Sequence, residues 1–130
     1  MVLGFTTKFP DGRETHFQQQ IETGLKIHTI RNGKRWKAGM KIHFATGVRT
    51  KKYNCFKEGV CISVQDIRIE KKRGDLYFYI DDRFVNGWEV QFVSANDGLH
   101  QNDLHEWFGS DLKDREAFEG QIIHWTNHKY

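Results

Sequence analysis

Short β-type segments, each closed by a turn signal, recur along the chain, and this rhythm constrains the fold more than any other feature. Residues 2–9 read as a first strand stopped at Pro10-Asp11-Gly12. Residues 26–31 form a second, ended by Asn32-Gly33, and residues 40–45 alternate in the strand manner behind the Ala38-Gly39 turn. Residues 60–69, 76–81 and 88–93 continue the series, with Lys71-Lys72-Arg73-Gly74-Asp75 as a hairpin loop between the first two, and residues 121–126 close it. Helical spacing interrupts at residues 14–23, where Phe17 and Ile21 share a face before Gly24, and at residues 102–108, where Leu104, Trp107 and Phe108 recur. Residues 111–118 offer a further short turn. The expectation is an α+β fold: a small, mostly antiparallel β-barrel carrying two or three short helices. Without a repeat, a linker or a low-complexity tract, residues 1–130 read as one domain.

Charge is distributed unevenly over that frame. Residues 23–57 hold ten of the twenty lysines and arginines and no aspartate or glutamate, while the other ten basic residues share the rest of the chain with all seventeen acids. The net +3 thus hides a segment of +10 and a remainder of −7. A one-signed block points to an anionic partner, provided folding keeps it on one face. Within it Trp36 lies between Lys34-Arg35 and Lys37, where an aromatic can stack on a base, and Arg49, Lys51, Lys52 and Tyr53 occupy a loop over residues 47–54.

Eighteen aromatic residues and a single proline exclude a disordered chain. No apolar run approaches the ~20 residues that span a bilayer, and Met1 to Phe5 lacks the charged and apolar regions of a signal peptide. A soluble, cytoplasmic protein is expected, with Cys55 and Cys61 as reduced thiols. Seven histidines show no metal-ligand spacing; His28, His43 and His124 fit half-buried strand positions, so neither metal nor cofactor is expected.

The most specific motif heads the basic block: Gly24-Leu25-Lys26-Ile27-His28-Thr29-Ile30-Arg31, followed by Trp36-Lys37-Ala38-Gly39-Met40-Lys41-Ile42. It resembles the signature of the ASCH family, a Gly-x-Lys-x-x-Thr/Glu-x-Arg element running through a Gly turn into a strand. Asn96-Asp97-Gly98-Leu99 and then Asp103-Leu104-His105-Glu106-Trp107-Phe108 resemble that family's acidic turn and following helix. The resemblance implies a barrel similar to the PUA domain. It also implies either RNA binding or, as in one bacterial subgroup, hydrolysis of the acyl group of N4-acetylcytidine by a lysine, a threonine and a glutamate. The first two fall on Lys26 and Thr29, and Asp97 stands where the subgroup has glutamate.

The chemistry is coherent from residue types. A threonine hydroxyl needs a base to become a nucleophile, and a lysine serves when burial or neighbouring cations lower its pKa. Asp97 would protonate the leaving amine or orient the lysine, and Arg31 would hold an anionic group or the oxyanion. Side chains alternate along a strand, so Lys26 and Thr29 converge only if Lys26 lies in the bend after Gly24. Three functions follow: a binding module for RNA or a nucleoside-like ligand, an amidohydrolase, and a partner-binding adaptor. The sequence favours the first, acting as a monomer, with Lys34, Arg35, Trp36, Lys37, Arg49, Lys51, Lys52 and Tyr53 on the nucleic acid.

Overall fold

The computed structural model describes residues 1–130. Its elements are β1 (Val2–Phe5), α1 (Phe17–Thr23), β2 (His28–Asn32), β3 (Lys41–Thr46), β4 (Asn54–Val60), β5 (Ser63–Lys72), β6 (Asp75–Ile80), β7 (Arg83–Val85), α2 (Gly87–Asn96), α3 (Gln101–Gly109) and β8 (Ala117–His124). The class is α+β with three helices, as the sequence suggests. The strands form two mostly antiparallel sheets, ordered β1-β3-β4 and β2-β8-β5-β6-β7, and the hydrogen bonds draw these two sheets rather than one closed ring. Only β1 and β3 run parallel, with Val2 beside His43 and Phe5 beside Thr46.

β8 is an interior strand of the larger sheet. It pairs with β2 on one side, Thr29 against Ile123, and with β5 on the other, Val64 against Ile123. Its residues from Gly120 to His124 are all buried, as expected for a strand covered on both faces. Ile42 and Phe44 of β3, Ile69 of β5 and Leu104 of α3 join Ile122 and Ile123 in one apolar core.

Several segments differ from the sequence expectation: β1 ends at Phe5, and β4 and β7 are strands outside the expected series. Residues 60–69 are not one strand, because the chain changes sheets there. Cys61 N–H donates to Met40 O beside the smaller sheet and Ile62 N–H donates to His124 O of the larger one, both at 2.8 Å. Residues 88–93 lie in helix α2 rather than a strand. Asn86 caps it, its side chain accepting from Glu89 N–H at 2.9 Å. Asn followed three residues later by Glu is a helix-start signal, and it outweighs the β propensity of Trp88, Val90, Phe92 and Val93. Helix α1 begins at Phe17 rather than at residue 14, since Lys8 and Glu14 bridge and Thr15 N–H donates to Thr7 O.

Candidate functional site

Gly24 stops α1 in the left-handed conformation, φ 83°. The N–H groups of Leu25 and Lys26 then both donate to Gln20 O, at 2.8 and 3.0 Å, and Ile27 N–H donates to Asn96 O. Pairing with β8 starts only at His28. Lys26 therefore lies in the bend before the strand, the one place from which it can meet Thr29. The bend sends Leu25 outward, 66% exposed, and Lys26 inward, 1% exposed.

Asp97 arrives from the other direction as the C-cap of α2, buried at 4% exposure. Gly98 follows with φ +76°, and a Cβ there would lie 2.9 Å from Gln20 Oε1 and 3.3 Å from Lys26 Cβ, so the turn requires glycine. Lys26 Nζ donates to the Asp97 backbone carbonyl and, at 3.2 Å, to Oδ1. An ammonium on the last carbonyls of a helix also suits its dipole. His28 Nδ1 reaches the same Oδ1 at 3.1 Å. Both contacts fall on one oxygen, and Oδ2 accepts from no protein donor.

Thr29 and Arg31 share the other face of β2. Arg31 Nη1 donates to Thr29 Oγ1 at 2.7 Å, Nη2 donates to Gly4 O of β1, and the guanidinium carbon sits 5.1 Å from the Phe5 ring centre. Lys26, Thr29, Arg31 and Asp97 converge on one cavity of about 210 Å³, walled by Phe5, Phe17, Leu99, Trp107 and Phe108. A cavity of ~150 Å³ already takes benzene, so this one has room for a single substituted ring.

Electrostatics within the cavity are asymmetric. Burial lowers the Lys26 pKa from 10.5 to about 8; Asp97 opposes the shift and Arg31 adds to it. For Asp97 burial favours the neutral acid, but the charge of Lys26 and the hydrogen bond from His28 outweigh it and hold the carboxyl below its usual range. The carboxylate collects several donors, whereas the lysine has one counter-ion against burial and a second cation. Burial likewise lowers Arg31 and His28, with Asp97 opposing in each case. A carboxylate can only accept, so neutral His28 carries its proton on Nδ1 and accepts at Nε2 from Tyr130 OH, 2.6 Å away. Burial pushes the Tyr130 phenol up to about 12, which keeps that donor protonated. An ionised Asp97 accepts from the lysine and, in this state, carries no proton of its own.

The basic block does not stay together. Lys26 and Arg31 enter the cavity. A groove sharing Gly4, Phe5 and Thr6 with it continues to Gly47, Val48 and Arg49, and Lys51, Lys52 and Tyr53 stand exposed further along the same loop. Lys34 pairs instead with Asp66 of the larger sheet at 3.4 Å, and Arg35 and Lys37 flank it in solvent. Trp36 is 4% exposed, its backbone amide bound both ways to the Gln121 side chain, so its ring packs in the core and offers no stacking face. On the opposite side Thr6 and Trp107 also border a groove of about 690 Å³ whose charged lining is four carboxylates against Lys8 and Arg13. Its size exceeds that of the cavity, and Arg13 within it is already paired with Asp11 and Asp103, at 2.7 and 2.8 Å.

His28 and His124 are fully buried rather than half-buried, and no group of three or more His, Cys, Asp or Glu side chains is arranged to hold a metal ion. The residues that sequence reasoning missed are His28 as a partner of Asp97, and Tyr130 and Asn96 behind it. His28 stood inside the recognised octet and carried a signal; Tyr130, 102 residues further on, carried none. No family model, curated protein or solved structure matches the chain.

Proposed function

We propose that the chain is an ASCH-type, PUA-like domain whose cavity takes the base of an N4-acylated cytidine and hydrolyses its amide. The observation that carries this reading is the convergence of Lys26, Thr29 and Asp97, from a bend, a strand and a helix end, on a ring-sized cavity. A lysine of pKa about 8 is neutral in about a tenth of molecules at pH 7, roughly 300-fold more than at 10.5. The neutral amine takes the Thr29 proton as Oγ1 attacks the acyl carbon. Arg31, already bonded to Oγ1, steadies the developing negative charge. The Lys26 ammonium then protonates the departing cytosine nitrogen, which leaves the acyl group as an ester on Thr29 Oγ1. Water, deprotonated by the same amine, attacks that ester, and the ammonium returns the proton to Oγ1 as the carboxylic acid departs. Asp97 holds Lys26 throughout. The two thiols are unpaired, and on that ground the same reading puts the protein in a reducing, cytoplasmic compartment.

Purified protein incubated with N4-acetylcytidine is expected to release cytidine and acetate. Lys26→Ala or Thr29→Ala should each remove most of the rate, and the double substitution should lose little more. Hydrolysis that survives Thr29→Ala overturns the mechanism.

A second reading, binding without turnover, has its own support: Thr29 Oγ1 accepts from Arg31 and makes no bond to Lys26, so no base touches the nucleophile at rest. The ligand is then a nucleoside unit of RNA, with its phosphates on Arg49, Lys51 and Lys52. Tight binding of the acylated nucleoside with no product formed selects this reading. Neither binding nor hydrolysis removes both.

A further inference from the structure

Asp97 is held from behind by a chain of hydrogen bonds that the chemistry above does not use. Asn96 Nδ2 donates to Tyr130 OH at 2.9 Å, the hydroxyl donates to His28 Nε2 at 2.6 Å, and His28 Nδ1 donates to Asp97 Oδ1 at 3.1 Å. Tyr130 is itself fixed. Its backbone N–H donates to Gln65 Oε1 at 2.9 Å and its carbonyl accepts from Gln65 Nε2 at 2.8 Å, so the buried amide of β5 grips it at two points. His124 stands edge-on to the His28 ring with centres 5.3 Å apart, and His128 packs edge-on to Tyr130 at 4.7 Å.

We propose, resting on the reading of this cavity as the working site, that Tyr130 is a positioning residue that acts through His28 on Asp97. A neutral imidazole has one donor and one acceptor nitrogen. The phenol proton occupies Nε2 as acceptor and so commits the ring proton to Nδ1, facing the carboxylate. With Oδ1 taken by His28 and Lys26, Oδ2 is left for the cavity, and the ammonium of Lys26 stays on the cavity side of the carboxylate. Remove the phenol and Nε2 loses its donor. The ring can then invert its tautomer, which would set a lone pair against Asp97 and release both the carboxylate and the lysine. No covalent step is involved.

The groups facing His28 are Asp97 and Lys26 on one side, His124 from β8, and His128 and Tyr130 from the segment after it. In nitrogen NMR of the free protein at neutral pH, His28 is expected as a single neutral Nδ1–H tautomer, its pKa held below the ordinary histidine value by burial. An Nε2–H tautomer, or titration near the ordinary histidine value, overturns the proposal. Tyr130→Phe keeps the ring and removes only the hydroxyl. It should give mixed or exchanging His28 tautomers and lower kcat for the acylated nucleoside roughly five- to tenfold with KM little changed. An unchanged His28 spectrum, or an unchanged kcat, refutes the positioning role. Should Tyr130→Phe not fold, Asn96→Ala is read in the same way, with a smaller change in the same direction. A tautomer response in a protein that hydrolyses nothing leaves the Tyr130–His28 relay standing and removes the proposed reaction, so the two fail separately.

Discussion

Replacing Lys26 with methionine keeps the apolar stem against the Phe17 ring, over which the ammonium now lies at 4.6 Å, and deletes only the charge. Both members of the Lys26–Asp97 pair are buried, with side chains 1% and 6% exposed, so solvent does not screen the loss. Leaving one partner of such a pair buried with too few donors costs about 3–5 kcal/mol, but methionine also removes the burial penalty of the ammonium, about 3 kcal/mol by its lowered pKa. The net loss at pH 7 is about 1 kcal/mol, for a chain of this size a fall in Tm on the order of 5 °C. The double variant Lys26→Met, Asp97→Asn leaves no orphaned charge and is expected to recover most of the loss. The effect also has a pH signature. The folded pKa of Lys26, about 8, lies below its ordinary 10.5, so between those values the unfolded chain binds the extra proton and stability rises with pH. The rise totals about 3 kcal/mol and is absent from Lys26→Met, so the gap between the two proteins widens from pH 8 to 10.5. Urea unfolding of the three proteins across that range measures it. A methionine variant as stable as the parent at about pH 10, or two parallel pH profiles, would refute the reasoning.

Asp97→Glu, which installs the acid of the enzymatic subgroup, is expected to lower both stability, by about 1–3 kcal/mol, and the hydrolysis rate. The extra methylene would move the carboxylate off its 3.1 and 3.2 Å contacts with His28 and Lys26, and a rise in activity would contradict this argument. Gly98→Ala meets Gln20 Oε1 and a positive φ together, and thermal unfolding should show a loss of about 1–2 kcal/mol. Neutralising Arg49, Lys51 and Lys52 together should flatten the salt dependence of any binding to single-stranded RNA or a nucleotide, measured by titration at several ionic strengths. An unchanged slope means that the loop makes no phosphate contacts.

Local chemistry was legible in the residues themselves. Gly24 as a left-handed stop, the Arg73-Gly74 hairpin and the helical faces of α1 and α3 all depend on neighbours within a few positions, which is the range over which periodicity and turn propensity act. Even the α2 cap at Asn86 and Glu89 was present as a pattern, though β-prone side chains masked it. Tertiary packing decided the rest. Asp97 meets Lys26 across 71 residues and His28 meets Tyr130 across 102, and no local rule sets such distances. The fate of Trp36 had the same origin: its basic neighbours suggested a surface, but its backbone bonds to Gln121 of the interior strand β8 draw it into the core. Charge sign could be counted along the chain. Which charges lost their water could not, because desolvation follows from what packs on top of a side chain, and that burial is what lowers Lys26 to about 8.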